Sequence, residues 1–434
     1  MNVLVLGSGA RENAIALSIS KSKLLKKLFI SSGNYGTELL GENVSLDNDF
    51  SQIKKFVIDN DISLVVVGGE QLLVDGIWDY FKEDKQLKDV LVVGPSKKGA
   101  SLEGSKAFAK SFMKEYNIPT AKSKTFTKEN IDEAFAFLET MSPPYVLKAD
   151  GLAAGKGVLI VDNLVEAKEE LNSMLMNQKF GNASEKVVIE QYLDGIECSC
   201  FVLTDGKNYK ILPFAKDYKR IGENNTGLNT GGMGAVSPVV FCDKDFVEKV
   251  EKRIILPTIK GLEKEKIEYQ GFIFIGLMSV NGEPYVIEYN VRMGDPETEV
   301  VFPRIKTDIL ELFLALKDNK LNEVELEIGN NVSVCVVLAS KGYPEKFEKG
   351  YKITGMDNTK QCTLFYAGVE KKNEDLLTNG GRVIVVSAKC RSIKGARRKC
   401  YSNIENILFN GKYYRRDIGE DLMEIEQRRK ENKK

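Results

Sequence analysis

The sequence predicts a multidomain protein of the α/β and α+β classes, and three observations carry that expectation. Continuous apolar, β-branched runs of strand length recur near the start, "NVLVL" (2–6), "SLVVVGG" (63–69) and "DVLVVGP" (89–95), with mixed-polarity helical stretches such as 10–27 between them. Strands apolar on both faces belong in a parallel sheet covered by helices. Later apolar runs are joined by tight turns, as antiparallel pairing requires. At 434 residues the chain exceeds one ordinary core, and domain sizes favour about three compact units.

Taken in order, the first α/β unit ends near Pro95, where "GPSKKGASLEGSK" changes character and opens a helix reaching about Glu115. "NIPTAKSKTF" supplies a proline-marked turn and a strand, a helix follows over about 130–140, and "YVLKADG" and "GVLIV" are two strands flanking a glycine-rich loop. A helix from about Leu164 to Met176 closes this small lobe. "KVVIEQYLDGIECSCFVLTDGKNYKILPF" reads as a strand, a tight turn and a longer antiparallel pair, the start of a larger sheet-rich unit. That unit carries the Gly/Asn-rich loop 221–238, long enough to suggest function or mobility, then a helix near 243–263, strands at 272–280 and 284–290, and a helix at 307–318. From "NVSVCVVLAS" a block of short strands runs to "GGRVIVVSAK", followed by a final helix, the basic "YYRRDIG" and a charge-dense tail read as solvated helix.

Composition narrows the chemistry. Lys plus Arg and Asp plus Glu each total 62, so no global polycation exists to collect nucleic acid or acidic lipid. Without a basic leader or a long apolar window the chain is expected to be soluble and cytoplasmic. Seven scattered cysteines suit reduced thiols rather than a disulfide framework. Histidine is absent, which removes serine-hydrolase triads and histidine-based zinc hydrolysis. The chemistry must run on carboxylates, lysines, arginines and amides, with or without a hard metal ion.

"LKADGLAAGKGVLI" (147–160) is not a Walker A motif, since three residues separate Gly151 from Gly155 and Gly157 follows Lys156. Its backbone N–H groups can still form an anion cradle beside Lys148, whose alternative is a snorkelling lysine at a strand end. In "PYVIEYNVRMGDPETE" (284–299), strand alternation sends Glu288, Asn290 and Arg292 to one face. A carboxylate with an amide oxygen suits Mg²⁺, and the arginine suits a phosphoryl or carboxylate group; the alternative is an exposed edge with solvated charges. "GDPE" reads as a turn into a helix with Asp295 as N-cap and Pro296 at its first position.

"IEQYLDGIE" places Glu190 and Glu197 on either side of a turn, either to hold an adenine near Glu190 and Leu193 and a ribose on Glu197, or as a plain hairpin with solvated acids. "FAKDYKRIG" combines Asp217, Lys219 and Arg220 beside the 221–238 loop, as a second anionic subsite or a surface turn. "GSGARE" (7–12) lacks the third glycine of a dinucleotide fingerprint, and the helix start after Gly9 is read as a site for a phosphate-bearing substrate.

With these blocks in order, joined by "GPS", "LEGSKAF", "NTGGMGAVSP" and "YYRRDIG", nearly the whole chain resembles the phosphoribosylamine–glycine ligase (glycinamide ribonucleotide synthetase) family of the ATP-grasp superfamily. The resemblance implies a preATP-grasp, Rossmann-like domain at 1–101, an ATP-grasp central domain at 102–121 and 188–326, an inserted lid lobe at 122–187, and a β-rich C-terminal domain at 327–434 with a terminal helix and charged tail. It implies ATP-driven joining of glycine to 5-phospho-β-D-ribosylamine, with Mg²⁺ or Mn²⁺, in a monomer or weak dimer that binds neither nucleic acid nor membrane. The runner-up is an ATP-grasp ligase for another carboxylate and amine; a nucleotide-binding regulator and a redox enzyme are more distant readings.

By the same resemblance Lys106, Lys148, Gly151, Gly155, Lys156 and Gly157 meet the ATP phosphates, while Glu190, Leu193 and Glu197 hold the nucleoside. Glu288 and Asn290 bind the metal, and Arg292 and Lys148 carry the phosphoryl transfer. Gly9, Arg11, Glu12, Asp217, Lys219, Arg220, Asn229, Thr230, Gly231, Arg292 and Asp295 are the implied substrate contacts. The chain departs from the family pattern at Ala10, Asn13 and Tyr218; the last two stand where the family carries histidine and cannot become cations. Ser279 is taken as the place where many ATP-grasp enzymes carry a further metal carboxylate.

Overall fold

The computed structural model describes residues 1–153 and 157–431. The first strands, Asn2–Gly7, Lys27–Ser32, Glu42–Asn43, Ile62–Val67 and Leu91–Pro95, pair in parallel as their two-sided apolar pattern requires. The helix expected over 10–27 is shorter, Ala10–Ile19. The one expected to reach Glu115 is two helices, Lys97–Gly104 and Lys106–Glu115, broken at Ser105, whose hydroxyl caps the second.

This layer does not stop at the end of the first unit. The long strand Tyr269–Val280 pairs antiparallel with Leu91–Pro95 at one end, then with Ile196–Thr204 and Glu283–Asn290. The junction is tight: a Cβ on Gly271 would lie 2.8 Å from the backbone nitrogen of Gly94, so glycine is needed for the strands to approach. One nine-stranded sheet therefore carries both the parallel and the antiparallel parts. Helix Ile309–Lys317 covers one face, with Phe313 against Phe272 at 5.8 Å between ring centroids.

A separate four-stranded antiparallel sheet follows the order Ser123–Thr127, Lys186–Gln191, Tyr145–Ala149, Val158–Val161, and has its own core including Phe126, Leu147, Leu171, Met174 and Ile189. Lys186–Gln191 is an inner strand there, paired on both sides, so the lid boundary expected between 187 and 188 would cut a strand in two. The correction comes from pairing partners some sixty residues upstream in sequence, which the apolar run itself does not name.

The C-terminal sheet joins Lys216–Asp217, Gly234–Ser237, Val332–Ala339, Arg382–Cys390 and Thr363–Tyr366, with helix Ile393–Ile404 packed on it through Cys400. Two of these strands come from in or beside segment 221–238, expected to be a long functional or mobile loop. Arg220–Gly222 and Thr226–Asn229 form a hairpin, Gly234–Ser237 is buried, and Arg415, only 1% exposed, donates to Arg220 O and Asn225 Oδ1. The charged tail is likewise docked: helix Glu420–Glu431 buries Leu422, and Arg429 donates to Val240 O at 2.9 Å. Among the described residues no helix is long and apolar enough to cross a membrane.

Candidate active site

A cleft opens between the four-stranded sheet and the antiparallel end of the large one, and the strand ends bring its polar residues together. Lys148 lies on Tyr145–Ala149, 4% exposed, which rules out a snorkelling side chain. Its Nζ is 3.0 Å from Glu190 Oε2 and donates to Ile287 O at 3.2 Å. The same Glu190 oxygen is 3.1 Å from Lys110 Nζ, while Glu190 Oε1 is buried without a hydrogen-bond partner. Burial pushes the Lys110 ammonium down to about 8, against the pull of Glu190. Lys106 opens its helix beside this group and donates to Gly151 O at 3.2 Å.

Glu288 and Asn290 face the cleft from Glu283–Asn290, with Tyr289 turned to the core, as alternation predicts. Burial pushes the Glu288 carboxyl up, but Lys219, Lys148, Lys106 and Arg292 outweigh it and hold the carboxyl below its ordinary range. The residue opposite Glu288 on the neighbouring strand is Gly276, whereas Ser279 pairs with Pro284. The residue directly across from Glu288 is thus a glycine, which contributes no side chain there.

Arg292 emerges just past the strand. Its Nε is 3.1 Å from Glu70 Oε2, its Nη2 2.6 Å from Glu103 Oε1, and its Nη1 donates to Met293 O at 3.3 Å. Arg11 donates to the same carbonyl at 3.2 Å. Asp295 Oδ2 accepts from the Arg11 backbone N–H at 3.2 Å, and Asp295 Oδ1 lies 2.9 Å from Arg382 Nη1. Met293 O thus joins the guanidiniums of Arg292 and Arg11, and Asp295 joins the Arg11 backbone to the Arg382 guanidinium.

This arrangement corrects one expectation. Asp295 does not cap its own helix, which starts at Thr298; it serves the first turn of Ala10–Ile19 instead. At the helix start after Gly9, Glu12 Oε2 takes the Gly9 N–H at 2.6 Å and Asp295 takes that of Arg11. A helix N-terminus attracts carboxylates of its own chain as readily as a ligand's phosphate.

The cleft's lining takes in Lys106, Lys148, Gly157, Glu190, Glu288, Asn290 and Arg292, but neither Leu193 nor Glu197. Glu197 is ion-paired with Lys219. Burial lowers the Lys219 ammonium, yet Asp217, Glu197 and Glu288 together raise it well above its ordinary value. Arg220 donates to Gly227 O at 2.8 Å inside the hairpin, where Asn229 pairs with it; Thr230 N–H bonds Lys219 O, and Gly231 is held by Tyr343 and Arg382. Gly151 contributes its carbonyl to Lys106, and Gly155 and Lys156 lie outside the described residues.

The two positions of the family's histidines are not in the cleft lining. Asn13 is 3% exposed and accepts from Tyr366 N–H at 2.8 Å. Tyr218, 2% exposed, donates to Asp421 Oδ1 at 2.5 Å and accepts from Gly419 N–H at 2.9 Å. Sequence reading missed Glu70, Glu103 and Lys110. Lys110 carries a signal, one helical turn beyond Lys106; Glu103 lies in the quoted "LEGSKAF" block, but its role, like that of Glu70, shows only in the contact with Arg292.

A sheet-borne lid over a cleft of lysines, with a carboxylate and an amide on the opposing strand, defines the chain as an ATP-grasp protein, and the model of the phosphoribosylglycinamide synthetase ATP-grasp (A) domain matches residues 104–298. The corresponding N domain matches 1–103 and the C domain 333–421, so the chain belongs to the phosphoribosylglycinamide synthetase family. It is 44% identical to a phosphoribosylamine–glycine ligase of Fusobacterium nucleatum over 427 residues, covering 96% of this chain and 98% of that one. It is 43% identical to the enzyme of the same name from Clostridium acetobutylicum over 423 residues, 96% and 99% covered. The crystal structure of phosphoribosylamine–glycine ligase from Thermotoga maritima superposes with a TM-score of 0.83 at 37% identity, covering 96% of this chain and all of that one. A biotin carboxylase domain of the 2-oxoglutarate carboxylase from Hydrogenobacter thermophilus, in complex with MgADP, shares the fold alone, with a TM-score of 0.70, 17% identity, and 95% and 91% coverage.

Proposed function

We propose that this chain is a phosphoribosylamine–glycine ligase. It joins glycine to 5-phospho-β-D-ribosylamine and releases ADP and phosphate by way of glycyl phosphate, a step of purine nucleotide synthesis. The observation that carries the reading is the convergence of Lys106, Lys148, Glu288, Asn290 and Arg292 on one cleft in a chain related to such ligases over its whole length. A carboxylate resists amide formation because oxide is a poor leaving group, and phosphorylation replaces it with a good one. That step needs alignment and charge neutralisation more than proton transfer, which suits a chain without histidine.

Lys106 and Lys148 hold the phosphates in this reading, and Arg292 orients the acceptor carboxylate or the phosphoryl group. Glu190 lies on the nucleoside side with Leu193 beside it, and Glu197 reaches the ribose by giving up Lys219. Glu288, kept ionised, and Asn290 on the same face are a donor set that fits Mg²⁺ or Mn²⁺. The metal, when bound, neutralises phosphate charge. The linkage of Arg292 to Arg11 and Arg382 through Met293 and Asp295 supports assigning the sugar amine to their side, with Asp217, Lys219 and the 229–231 segment. The enzyme is taken to work in the cytoplasm on small molecules, as a monomer or weak dimer.

The test is ADP formation from ATP with glycine and freshly made phosphoribosylamine, against other acid and amine pairs. ADP release indifferent to glycine sinks the assignment in favour of another ATP-grasp ligation. Glu288→Ala is expected to abolish turnover with the circular dichroism spectrum unchanged, and full Mg²⁺-dependent activity in that variant contradicts the metal assignment.

A further inference from the structure

Glu103 lies in the last turn of Lys97–Gly104, 8% exposed, in the wall of the cleft. Both its oxygens are engaged by a segment almost two hundred residues away: Oε1 accepts from Arg292 Nη2 at 2.6 Å, and Oε2 from the Val291 backbone N–H at 2.8 Å. These bonds grip two consecutive residues directly after Asn290. One planar carboxylate thus sets both the course of the chain as it leaves the strand and the direction of the guanidinium.

The support behind it is rigid. The Lys97–Gly104 helix is capped by Ser96, whose hydroxyl accepts from Gly99 N–H at 3.3 Å and whose own N–H bonds Glu268 O at 3.0 Å. Glu70 also reaches Arg292, but its side chain is 33% exposed against 6% for Glu103, and it holds Nε alone. A buried two-point grip specifies orientation better than a single exposed one.

We propose that Glu103 is a positioning residue of the ligation: it holds Val291 and Arg292 so that Asn290 and Arg292 keep fixed places in the wall of the cleft. This rests on the ligase reading and on the place of Arg292 in it. In this proposal Glu103 acts through Arg292, to which its Oε1 is bonded.

The experiment is a double-mutant cycle on ATP, glycine and phosphoribosylamine turnover. Wild-type protein is assayed first; absence of glycine-dependent ADP formation there overturns the ligase reading, and the inference with it, before any variant is compared. With wild type active, Glu103→Gln is expected to lower kcat by roughly tenfold to a hundredfold, the scale of a small misplacement of a reacting group, and to leave KM for ATP within about threefold. Arg292→Lys falls by a similar factor, and Glu103→Gln with Arg292→Lys falls no further than Arg292→Lys alone. Glu103→Asp keeps the charge and is too short to reach both partners, so it falls between; it replaces Glu103→Gln in the cycle should that variant fail to fold. Losses that multiply in the double variant, an unchanged kcat, or a fall in kcat that only follows the folded fraction overturns the assignment.

Discussion

Tyr218→Phe removes one oxygen from the chain and separates two readings of the position where the family carries histidine. In the fold that oxygen donates to Asp421 Oδ1 at 2.5 Å and accepts from Gly419 N–H at 2.9 Å, both near the base of the C-terminal helix. Asp421 keeps Lys216 at 3.0 Å and the Leu422 N–H at 2.9 Å, so its loss is partial. The buried Gly419 N–H has no such substitute, and an amide stranded this way costs about 1–3 kcal/mol. The Lys216 ammonium, 4.0 Å from the ring centroid, retains its aromatic partner in phenylalanine. The expected loss is about 2–3 kcal/mol, confined to the joint that seats Glu420–Glu431, with KM for phosphoribosylamine unchanged. Hydrogen exchange in that helix and steady-state kinetics read the two quantities separately. A raised KM for phosphoribosylamine with exchange unchanged refutes the structural role and returns Tyr218 to the substrate.

Two further outcomes follow from the cleft. Lys148→Met leaves Glu190 with Lys110 alone and Ile287 O without its donor; the expected cost is about 2–4 kcal/mol, below that of stranding a lone buried ion, with ATP binding by calorimetry weakened by roughly a hundredfold or more, and unchanged affinity contradicts the phosphate assignment. Burial, opposed by Arg292 and reinforced by Glu70, raises the Glu103 carboxyl to about 7, with Arg11, Lys106 and Tyr269 also facing it. Its folded value lies above the ordinary 4.5, so between those values the folded state keeps a proton that the unfolded chain has released. Wild type therefore loses stability relative to Glu103→Gln as pH rises from about 4.5 to 7, by on the order of 3 kcal/mol in total. A difference in unfolding free energy that stays flat across that window refutes it.

Most strands and helices were legible because their signals are local. Alternation along 284–292 sorted Glu288, Asn290 and Arg292 from Tyr289 and Val291, and the helix Leu164–Met176 stands where its pattern put it. What was not legible depends on distant partners. The Gly/Asn richness of 221–238 reads as freedom, and it is Tyr343, Arg382 and Arg415 that remove it. The same holds for the union of two units into one sheet through Gly94 and Gly271, and for Asp295, whose local setting suggests its own helix while its contacts go to another. Glu70 and Glu103 are ordinary helix acids until Arg292 arrives between them.

The cations of the cleft are not equivalent before a nucleotide enters. Lys148 and Lys110 are held by Glu190, and Arg292 by Glu70 and Glu103, so each must give up or share a carboxylate to take a phosphate. Lys106 is different: its ammonium donates to the carbonyl of Gly151, and exchanging a neutral acceptor for a phosphate oxygen strengthens the bond at once. Burial also lowers its affinity for a proton, which penalises the charged form until an anion arrives. On the proposed ligase reading, Lys106 is therefore expected to meet the triphosphate first. The same reading predicts that the paired Lys148 and Arg292 engage where the phosphate charge exceeds that of the carboxylate they release, so that the whole triphosphate binds more tightly than adenosine or its monophosphate.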